Sequence, residues 1–249
     1  MILQGKTAIV TGSSRGIGAA TAKLLAQEGA KVAVNYKQNE AAGKQVLTEI
    51  EKAGGTGILI QADTSVREQV EALVKQTEKE LGPVDILVNN ANMSFPVQPF
   101  LEFPWDGFEH KLVHEMSAAF HCCQVAAASM AQRKQGCIVI ISSGLSRHPG
   151  PGFIAHSSAK SALDAFSKSL ALELGPLGIR VNVVAPGLTR TDATAARMPQ
   201  MEQAVAQHTP LRRVGETEDI AGVVLFYCSE WANFVTGTYL PVNGGTQMN

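Results

Sequence analysis

The turn that decides the fold reads Thr11-Gly12-Ser13-Ser14-Arg15-Gly16-Ile17-Gly18, and it lies between an apolar run, Thr7–Val10, and a helical pattern, Gly18–Gln27. Glycines let the chain turn tightly and let backbone N–H groups approach a ligand closely. The N-terminus of the following helix favours negative charge, so a glycine turn between a first strand and a first helix is typical of a pyrophosphate site. The sequence therefore predicts a dinucleotide-binding unit at this turn.

Outward from this turn, short β-branched runs alternate with longer amphipathic segments. The further strands predicted are Lys31–Asn35, Gly57–Gln61, Asp85–Asn89, Cys137–Ser142, Arg180–Val184 and a shorter candidate, Tyr239–Val242. The further helices predicted include Ala41–Lys52, Glu68–Glu80 and Ser157–Leu174. Because the strands are apolar nearly throughout, we expect helices to cover both faces of the sheet. The alternation predicts an α/β fold, a single-domain Rossmann-type doubly wound parallel sheet of about seven strands.

Composition excludes several classes of function. The 21 basic and 22 acidic residues nearly cancel, and no basic stripe suggests nucleic acid as a partner. No apolar run approaches the roughly 18 residues that a membrane span needs, and the first residues show no signal-peptide pattern. The four cysteines lack metal-ligand spacing, so we expect no metal site and a reduced, cytoplasmic protein.

No linker or repeat divides the chain, so we expect residues 1–249 to form one dinucleotide-binding and catalytic domain. The longest irregular stretch, residues 187–216, is too long for an idle connection and predicts a substrate lid. Within it, Met198, Met201 and Val205 would offer an apolar wall to an acyl or other hydrophobic substrate.

The charge beside the second strand bears on which nicotinamide cofactor binds. That strand ends in Asn35-Tyr36-Lys37, with no acidic residue before Glu40. NAD sites usually place a carboxylate here to bind the ribose 2′-hydroxyl. Arg15 and Lys37 are instead two cations that could meet a 2′-phosphate. The sequence favours NADP(H) over NAD(H), and the alternative is that both cations are solvated surface charges.

The Gly-x-x-x-Gly-x-Gly spacing of the turn, Asn89-Asn90-Ala91 after the fourth strand, Pro186-Gly187 and the ending Val242-Asn243-Gly244-Gly245 together resemble the short-chain dehydrogenase/reductase family. The resemblance covers nearly the whole chain and is greatest to the 3-oxoacyl-thioester (acyl carrier protein) reductases. It implies a homotetramer, with a hetero-oligomer as the alternative.

The resemblance also implies a cofactor site. Adenine would lie between Asp63 and Thr64, the adenosine ribose along Asn90 and Ala91, and Asn92 stands where the family usually has glycine. The nicotinamide end would be held by Pro186, Gly187, Thr189 and Thr191. The full cofactor-binding set that we expect is Gly12, Ser14, Arg15, Gly16, Ile17, Gly18, Asn35, Tyr36, Lys37, Asp63, Thr64, Asn90, Ala91, Asn92, Lys160, Pro186, Gly187, Thr189 and Thr191.

The candidate catalytic residues follow the fifth predicted strand. Ser143 comes at its carboxyl end, where open α/β sheets bind ligands, and His156 and Lys160 share one face of the next helix. In the family, a serine polarises the carbonyl, a tyrosine donates the proton and a lysine binds the nicotinamide ribose. Aligned with that pattern, Ser143 and Lys160 match, His156 takes the tyrosine position, and Glu115 takes the position of an asparagine that holds a water.

Histidine changes the acid chemistry of such a site. The ordinary pKa of imidazole is about 6.5, and the Lys160 cation would favour the neutral ring, which is a poor proton donor. A nearby carboxylate would favour the charged ring, and Glu115 is the natural candidate. The alternatives are that His156 fills space after catalysis was lost, that Glu115 is a solvated helix residue, and that His148 is a second donor.

The sequence thus predicts an NADP(H)-dependent oxidoreductase that reduces a carbonyl, either a 3-oxoacyl thioester or another ketone. One alternative is a cofactor-binding but catalytically impaired protein that serves as a structural or regulatory partner. The other is a non-redox lyase or isomerase that uses Glu115 and His156.

Overall fold

A computed structural model of the chain describes residues 1–195 and 198–248. Within them, one sheet has seven strands in the order β3-β2-β1-β4-β5-β6-β7, and every neighbouring pair is parallel. The predicted doubly wound α/β fold is therefore confirmed. The strands are β1 Thr7–Val10, β2 Lys31–Tyr36, β3 Thr56–Gln61, β4 Ile86–Asn89, β5 Gly136–Ile141, β6 Ile179–Pro186 and β7 Tyr239–Val242.

Helices cover both faces of this sheet. Side chains of α1, α2 and α7 pack in one apolar core, whereas those of α3, α4 and α5 pack in the other. None of the helices in the described residues has the length and hydropathy that crossing a bilayer requires. The helices are α1 Gly16–Gln27, α2 Glu40–Lys52, α3 Arg67–Leu81, α4 Trp105–Arg133, α5 Ile154–Leu174, α6 Met198–His208 and α7 Thr217–Cys228.

The two cores explain why the strands are apolar on both faces. In β1, Ala8 and Val10 enter the core beneath α1, while Ile9 enters the opposite core. In β5, Val139 and Ile140 divide in the same way. Successive residues of a strand point to opposite faces, so a sheet buried on both sides needs an apolar residue at almost every position.

The expectation that residues 187–216 are irregular throughout is wrong. Helix α6 occupies Met198–His208 of this stretch, with Pro199 in its first turn, where the missing N–H costs no helical hydrogen bond. Ala196 and Arg197 of the stretch lie outside the described residues. The strand before it is also longer than predicted, because Pro186 at its end still pairs with Val242 of β7.

The sheet topology gathers the predicted site at one edge. β1 lies between β2 and β4, so the strand order reverses there, and ligands of open α/β sheets bind at the carboxyl ends beside such a reversal. The turns that follow β1, β4, β5 and β6 carry Gly12, Asn90, Ser143 and Gly187. All four turns leave the same edge of the sheet because the strands are parallel.

Two helical glycines provide a test of this packing. A Cβ on Gly18 would lie 2.7 Å from the Gly12 carbonyl oxygen, whereas a Cβ on Gly222 in α7 meets nothing within 4 Å. We expect Gly222→Ala to stabilise the protein by about 0.5–1 kcal/mol, as alanine usually does in a helix. Gly18→Ala should destabilise it by about 1–3 kcal/mol through overpacking.

Urea unfolding of the two variants beside the wild type measures both effects. Equal stabilisation by both substitutions would contradict the close approach of α1 to the glycine turn.

Candidate active site

The glycine turn has a backbone that only glycine adopts readily. Gly12 and Gly16 have φ angles of +59° and +57°, and a Cβ on Gly12 would lie 2.9 Å from the Ala91 Cα. Arg15, the N-cap of α1, provides no side-chain hydrogen bond to the first turn of that helix. The N–H groups at the start of α1 are therefore available to an anionic ligand, which fits the pyrophosphate of a dinucleotide.

The side chains of two asparagines form hydrogen bonds with the backbone of the glycine turn. The Asn90 amide donates to the carbonyl oxygens of Thr11 (2.8 Å) and Gly12 (3.1 Å). The buried Asn35 accepts from the Gly12 N–H (3.0 Å) and donates to the Ala62 carbonyl (3.1 Å). Asn35 and Asn90, both predicted to bind cofactor, direct these amide groups at the protein. They position the turn.

The predicted adenosine end is polar and charged. Lys37 forms an ion pair with Asp63 at 2.6 Å, and its side chain remains half exposed. Burial would raise the pKa of Asp63, but hydrogen bonds from Lys37 and Ser65 outweigh it and hold the pKa below its usual range. Tyr36 and Thr64, which adjoin Lys37 and Asp63 in the sequence, are buried. Of these four predicted cofactor-binding residues, only Lys37 and Asp63 are therefore accessible to a ligand.

A cavity of about 350 Å³ opens between the glycine turn and α2. Ser14 and the exposed Arg15 line it, together with Lys23 and Asn39. Lys23 is already paired with Glu49 at 3.0 Å, so the Arg15 guanidinium is the cation best placed to meet a ligand anion in this cavity.

The segment after β6 covers the other side of the crevice. The Thr189 hydroxyl donates to the Gly187 carbonyl at 3.1 Å, and Thr189 forms a bridge with Gly215. Farther along, the Thr191 side chain lies 3.5 Å from the position of a Cβ on Gly16. This segment therefore lies against the glycine turn.

Ser143 lies two residues beyond the end of β5, after Ser142. Its hydroxyl oxygen accepts from the Leu145 N–H at 3.2 Å, and its carbonyl oxygen accepts from the Tyr239 hydroxyl at 3.2 Å. These contacts fix the turn and leave the Ser143 side chain half-buried at the sheet edge. A hydroxyl so placed can donate a hydrogen bond to a ligand oxygen.

Lys160 reaches from α5 to the end of β5. Its ammonium donates to the Ile141 carbonyl at 2.8 Å and forms an ion pair with Glu115 Oε1 at 2.7 Å. Lys160 is buried, so this pair joins α4 and α5 in a region that water does not screen.

Glu115 is not a solvated helix residue, because its exposed fraction is 2%. Its Oε2 accepts from the Lys111 ammonium (2.7 Å) and from the Met93 N–H (2.9 Å), while Oε1 faces Lys160. Burial alone would raise the pKa of Glu115, but the cations of Lys160 and Lys111 outweigh it and lower the pKa to about 2. Glu115 is therefore a carboxylate throughout the neutral range.

Lys111 is a site residue that sequence reasoning missed. Its side chain is fully buried, and its ammonium donates to Asn92 Oδ1 (2.7 Å) and the Met93 carbonyl (2.9 Å) as well as to Glu115. Burial lowers its pKa to about 8, a change that Lys160 reinforces and Glu115 opposes. The detectable signal was the four-residue spacing from Lys111 to Glu115, which places both on one helix face.

His156 lies on α5 among aromatic rings. Its imidazole stacks on Phe95 with 4.7 Å between ring centroids and 20° between planes, and it meets Phe153 edge-on at 6.5 Å. Because His156 precedes Lys160 by four residues on one helix, it shares the face that carries the lysine. His148, the other predicted donor, is exposed on the loop before α5.

The turn after β5 carries the Ser143 hydroxyl, and α5, which packs against this turn, carries the His156 imidazole and the Lys160 ammonium paired with Glu115. A family model described as enoyl-(acyl carrier protein) reductase matches residues 12–247 of this chain. The chain belongs to the short-chain dehydrogenase/reductase family. It is an oxidoreductase, as its relatives in this family are.

Three relatives illustrate the range of this short-chain dehydrogenase/reductase branch. The chain is 35% identical to the 3-oxoacyl-[acyl-carrier-protein] reductase FabG of Staphylococcus aureus, with 98% of each protein covered. The solved structure of LugOII, a promiscuous reductase that catalyses keto-reduction at C1 in lugdunomycin biosynthesis, covers 100% of both chains at 37% identity and a TM-score of 0.92. A 7α-hydroxysteroid dehydrogenase complexed with NADH and 7-oxo glycochenodeoxycholic acid has a TM-score of 0.93 at 36% identity, covering 99% of this chain and 97% of its own.

Replacing Glu115 tests the buried charge cluster. Glu115→Gln removes the carboxylate between two buried ammonium groups, so we expect a loss of about 3–5 kcal/mol in the free energy of unfolding at neutral pH. The folded pKa of about 2 lies below the ordinary 4.5, so the stabilisation is complete above 4.5 and is lost as pH falls towards 2. The difference between variant and wild type should therefore shrink in acid.

Urea unfolding across that pH range measures the effect, and Glu40→Gln is the matched control. Glu40 pairs with Lys44 at the same spacing on an exposed turn of α2, where the loss should be small. A Glu115→Gln deficit that does not change with pH would contradict an ionised Glu115.

Proposed function

We propose that this protein is an NADP(H)-dependent reductase of a ketone, with Ser143, His156 and Lys160 at the reaction centre. The observation that carries the proposal is the 2.7 Å ion pair between Lys160 and Glu115. The Glu115 carboxylate offsets the positive charge of Lys160, which would otherwise disfavour a protonated histidine beside it. We further propose that His156 stands in place of the family's tyrosine.

Each residue has a distinct task in the reduction. The Ser143 hydroxyl donates a hydrogen bond to the substrate carbonyl oxygen, and Lys160 binds the nicotinamide ribose. When bound, the reduced nicotinamide supplies a hydride to the carbonyl carbon. His156, as imidazolium, gives one proton to the carbonyl oxygen and becomes neutral imidazole. Ketone, hydride and proton together give the alcohol, and solvent returns a proton to His156.

The charge state of His156 depends on its neighbours. An unpaired Lys160 ammonium would disfavour an imidazolium on the same helix face. Glu115 lies between Lys160 and Lys111, so the three groups together carry one net positive charge instead of two. Imidazolium therefore meets less repulsion than it would beside two lysines without the carboxylate.

A ketone in an apolar setting is the substrate class that we propose. Phe95 and Phe153 lie beside His156. Such surfaces suit the acyl chain of a 3-oxoacyl thioester or the body of a cyclic ketone. The relatives support this class, since one is named for 3-oxoacyl-thioester reduction and another for keto-reduction.

The described residues of the segment 187–216 are proposed as the lid over this substrate. Arg190 binds Glu202 of α6 through two hydrogen bonds, at 3.0 and 2.6 Å, and Glu216 through a third at 3.1 Å. This exposed ion cluster ties α6 to both ends of the segment. Solvent-exposed ion pairs are weak, so they can open without a large cost as ligands enter and leave.

Non-redox chemistry at Glu115 is disfavoured. A lyase or isomerase would need this carboxylate as a base, yet both its oxygens face ammonium groups and its pKa is lowered to about 2. Such a carboxylate is a poor proton acceptor. Glu115 is better suited to hold charge than to move protons.

Assembly into a homo-oligomer is also proposed. The exposed large apolar side chains of the described residues include Trp231, Phe234 and Leu240 near the C-terminal segment. Exposed apolar side chains this close together in the chain favour a subunit interface.

The role of His156 is tested by comparing wild type, His156→Tyr and His156→Phe. We expect the wild type to oxidise NADPH with acetoacetyl thioester or a cyclic ketone, and His156→Phe to lose about 10²–10⁴-fold in kcat while binding NADPH normally. The His156→Tyr variant should have its optimum at higher pH, because a phenol titrates at about 10 and imidazole at about 6.5.

Nicotinamide absorbance follows turnover, and fluorescence titration follows NADPH binding. If wild type binds NADPH but oxidises it with no ketone in the panel, it is the catalytically impaired partner. Turnover appearing only in His156→Tyr would then locate the loss of activity at that one position.

Cofactor choice is tested at the two cations near the adenosine end. Arg15→Ala and Lys37→Ala should each weaken NADPH binding by about tenfold, because a charge-assisted contact with the 2′-phosphate is lost, and should barely change NADH binding. Fluorescence titration with both cofactors provides the measurement, with Lys44→Ala on the exposed side of α2 as the control. Equal losses for NADPH and NADH would refute a 2′-phosphate site.

A further inference from the structure

Lys111 is a fully buried cation that the reaction described above does not use. Lysine is rarely buried in full unless it is paired, and a buried ion pair is often no more stable than apolar residues of the same volume. The Lys111 ammonium nevertheless donates to three oxygens, on Glu115, Asn92 and Met93, at 2.7 to 2.9 Å. All its hydrogens have acceptors, so the group is held in one place.

On one side, Lys111 is connected with His156. Its ammonium lies 5.0 Å from the centroid of the Phe95 ring, and the same ring stacks on the His156 imidazole at 4.7 Å. Cations are attracted to the electron-rich face of an aromatic ring. The position of Phe95, and with it the imidazole plane, therefore depends on the Lys111 cation.

On the other side, Lys111 is connected with Lys160. Glu115 binds Lys111 through Oε2 and faces Lys160 through Oε1, at 2.7 Å in each case. Two cations and one carboxylate carry a net positive charge in a region closed to water. Removing one cation changes both the orientation of Glu115 and the field at His156.

We propose that Lys111 is a positioning residue of this active site, setting the orientation and protonation of His156 through Phe95 and holding Lys160 through Glu115. Its effect on turnover rests on the proposed reductase activity, whereas its effect on the His156 ring does not. Asn92, which the resemblance marks as a departure from glycine, supplies the acceptor that keeps the ammonium in place.

The titratable groups around Lys111 define the expected direction. Glu115 faces it from α4, and Lys160 and His156 lie across from it on α5. Burial lowers the pKa of Lys111 to about 8, which is still above neutral pH, so most of its side chains are charged there. A positive charge disfavours a second one nearby, so neutral methionine at position 111 should let His156 hold its proton to higher pH.

Lys111→Met is compared with wild type by NMR titration of the histidine rings, with His156→Gln identifying the His156 signals. We expect the His156 midpoint to rise by about 0.3–1.2 pH units, the range that one charge produces at a separation of roughly 10 Å in a partly screened site. The matched control is Lys44→Met, which breaks an ion pair of the same spacing on an exposed helix and should leave the midpoint unchanged.

Kinetics of the same variants test the positioning. Lys111→Met should lower kcat/KM by about tenfold or more and move the optimum of reduction to higher pH. If Lys111→Met does not fold, Phe95→Leu removes the ring while both ion pairs remain; it should lower kcat and leave NADPH affinity unchanged.

An unchanged His156 midpoint in Lys111→Met, or an unchanged kcat in Phe95→Leu, would overturn the proposal. The failure of the proposed function is distinguishable from this result. If the wild type reduces no ketone, the reductase activity fails, and the NMR midpoint alone still decides the role of Lys111.

Discussion

The carboxylate of Glu115 is the constraint on which the rest of the active site depends. It lies in the interior of the protein, where an isolated charge would cost several kcal/mol, and it is balanced there by Lys111 and Lys160. Those two lysines could not be buried as ammonium groups without it. Helices α4 and α5 are thus joined by charge as well as by apolar packing, and α5 carries His156 on the face that this charge organises.

A second network performs the corresponding task for the glycine turn. The Thr11 hydroxyl oxygen accepts hydrogen bonds from the backbone N–H groups of Asn90 and Ala91, at 2.9 and 3.0 Å. The side-chain amides of Asn90 and Asn35 form hydrogen bonds with the backbone of the turn. The turn is therefore rigid before any ligand arrives. Preorganised N–H groups lose little conformational freedom on binding, so affinity for an anion comes at a small entropic cost.

The fold was predictable because buried parallel strands and amphipathic helices leave periodic apolar patterns. Helices α6 and α7 were not among the predicted elements, and in α6 Pro199 and the polar residues hide the helical pattern. The site was predictable in part. Family spacing led to Ser143, Lys160 and Glu115. The four-residue spacing from Lys111 to Glu115 indicated a pair, but lysine is ordinarily exposed, so the spacing did not indicate that the pair is buried. The burial of Lys111 follows from the packing of α4 against α5 and from its hydrogen bonds to Asn92 and Met93 in the loop after β4.

The contacts around Lys111 favour a site adapted to a different proton donor over a site that has lost its catalytic function. The proposed departures from the family pattern fall at Asn92, Glu115 and His156, and all three are connected through Lys111 and Phe95. A glycine at position 92 would offer Lys111 no side-chain acceptor, and a neutral residue at position 115 would leave two buried cations unbalanced. Random loss of a catalytic acid requires none of these compensations. A change of acid from phenol to imidazole does, because imidazolium beside a lysine needs a carboxylate to balance the charge.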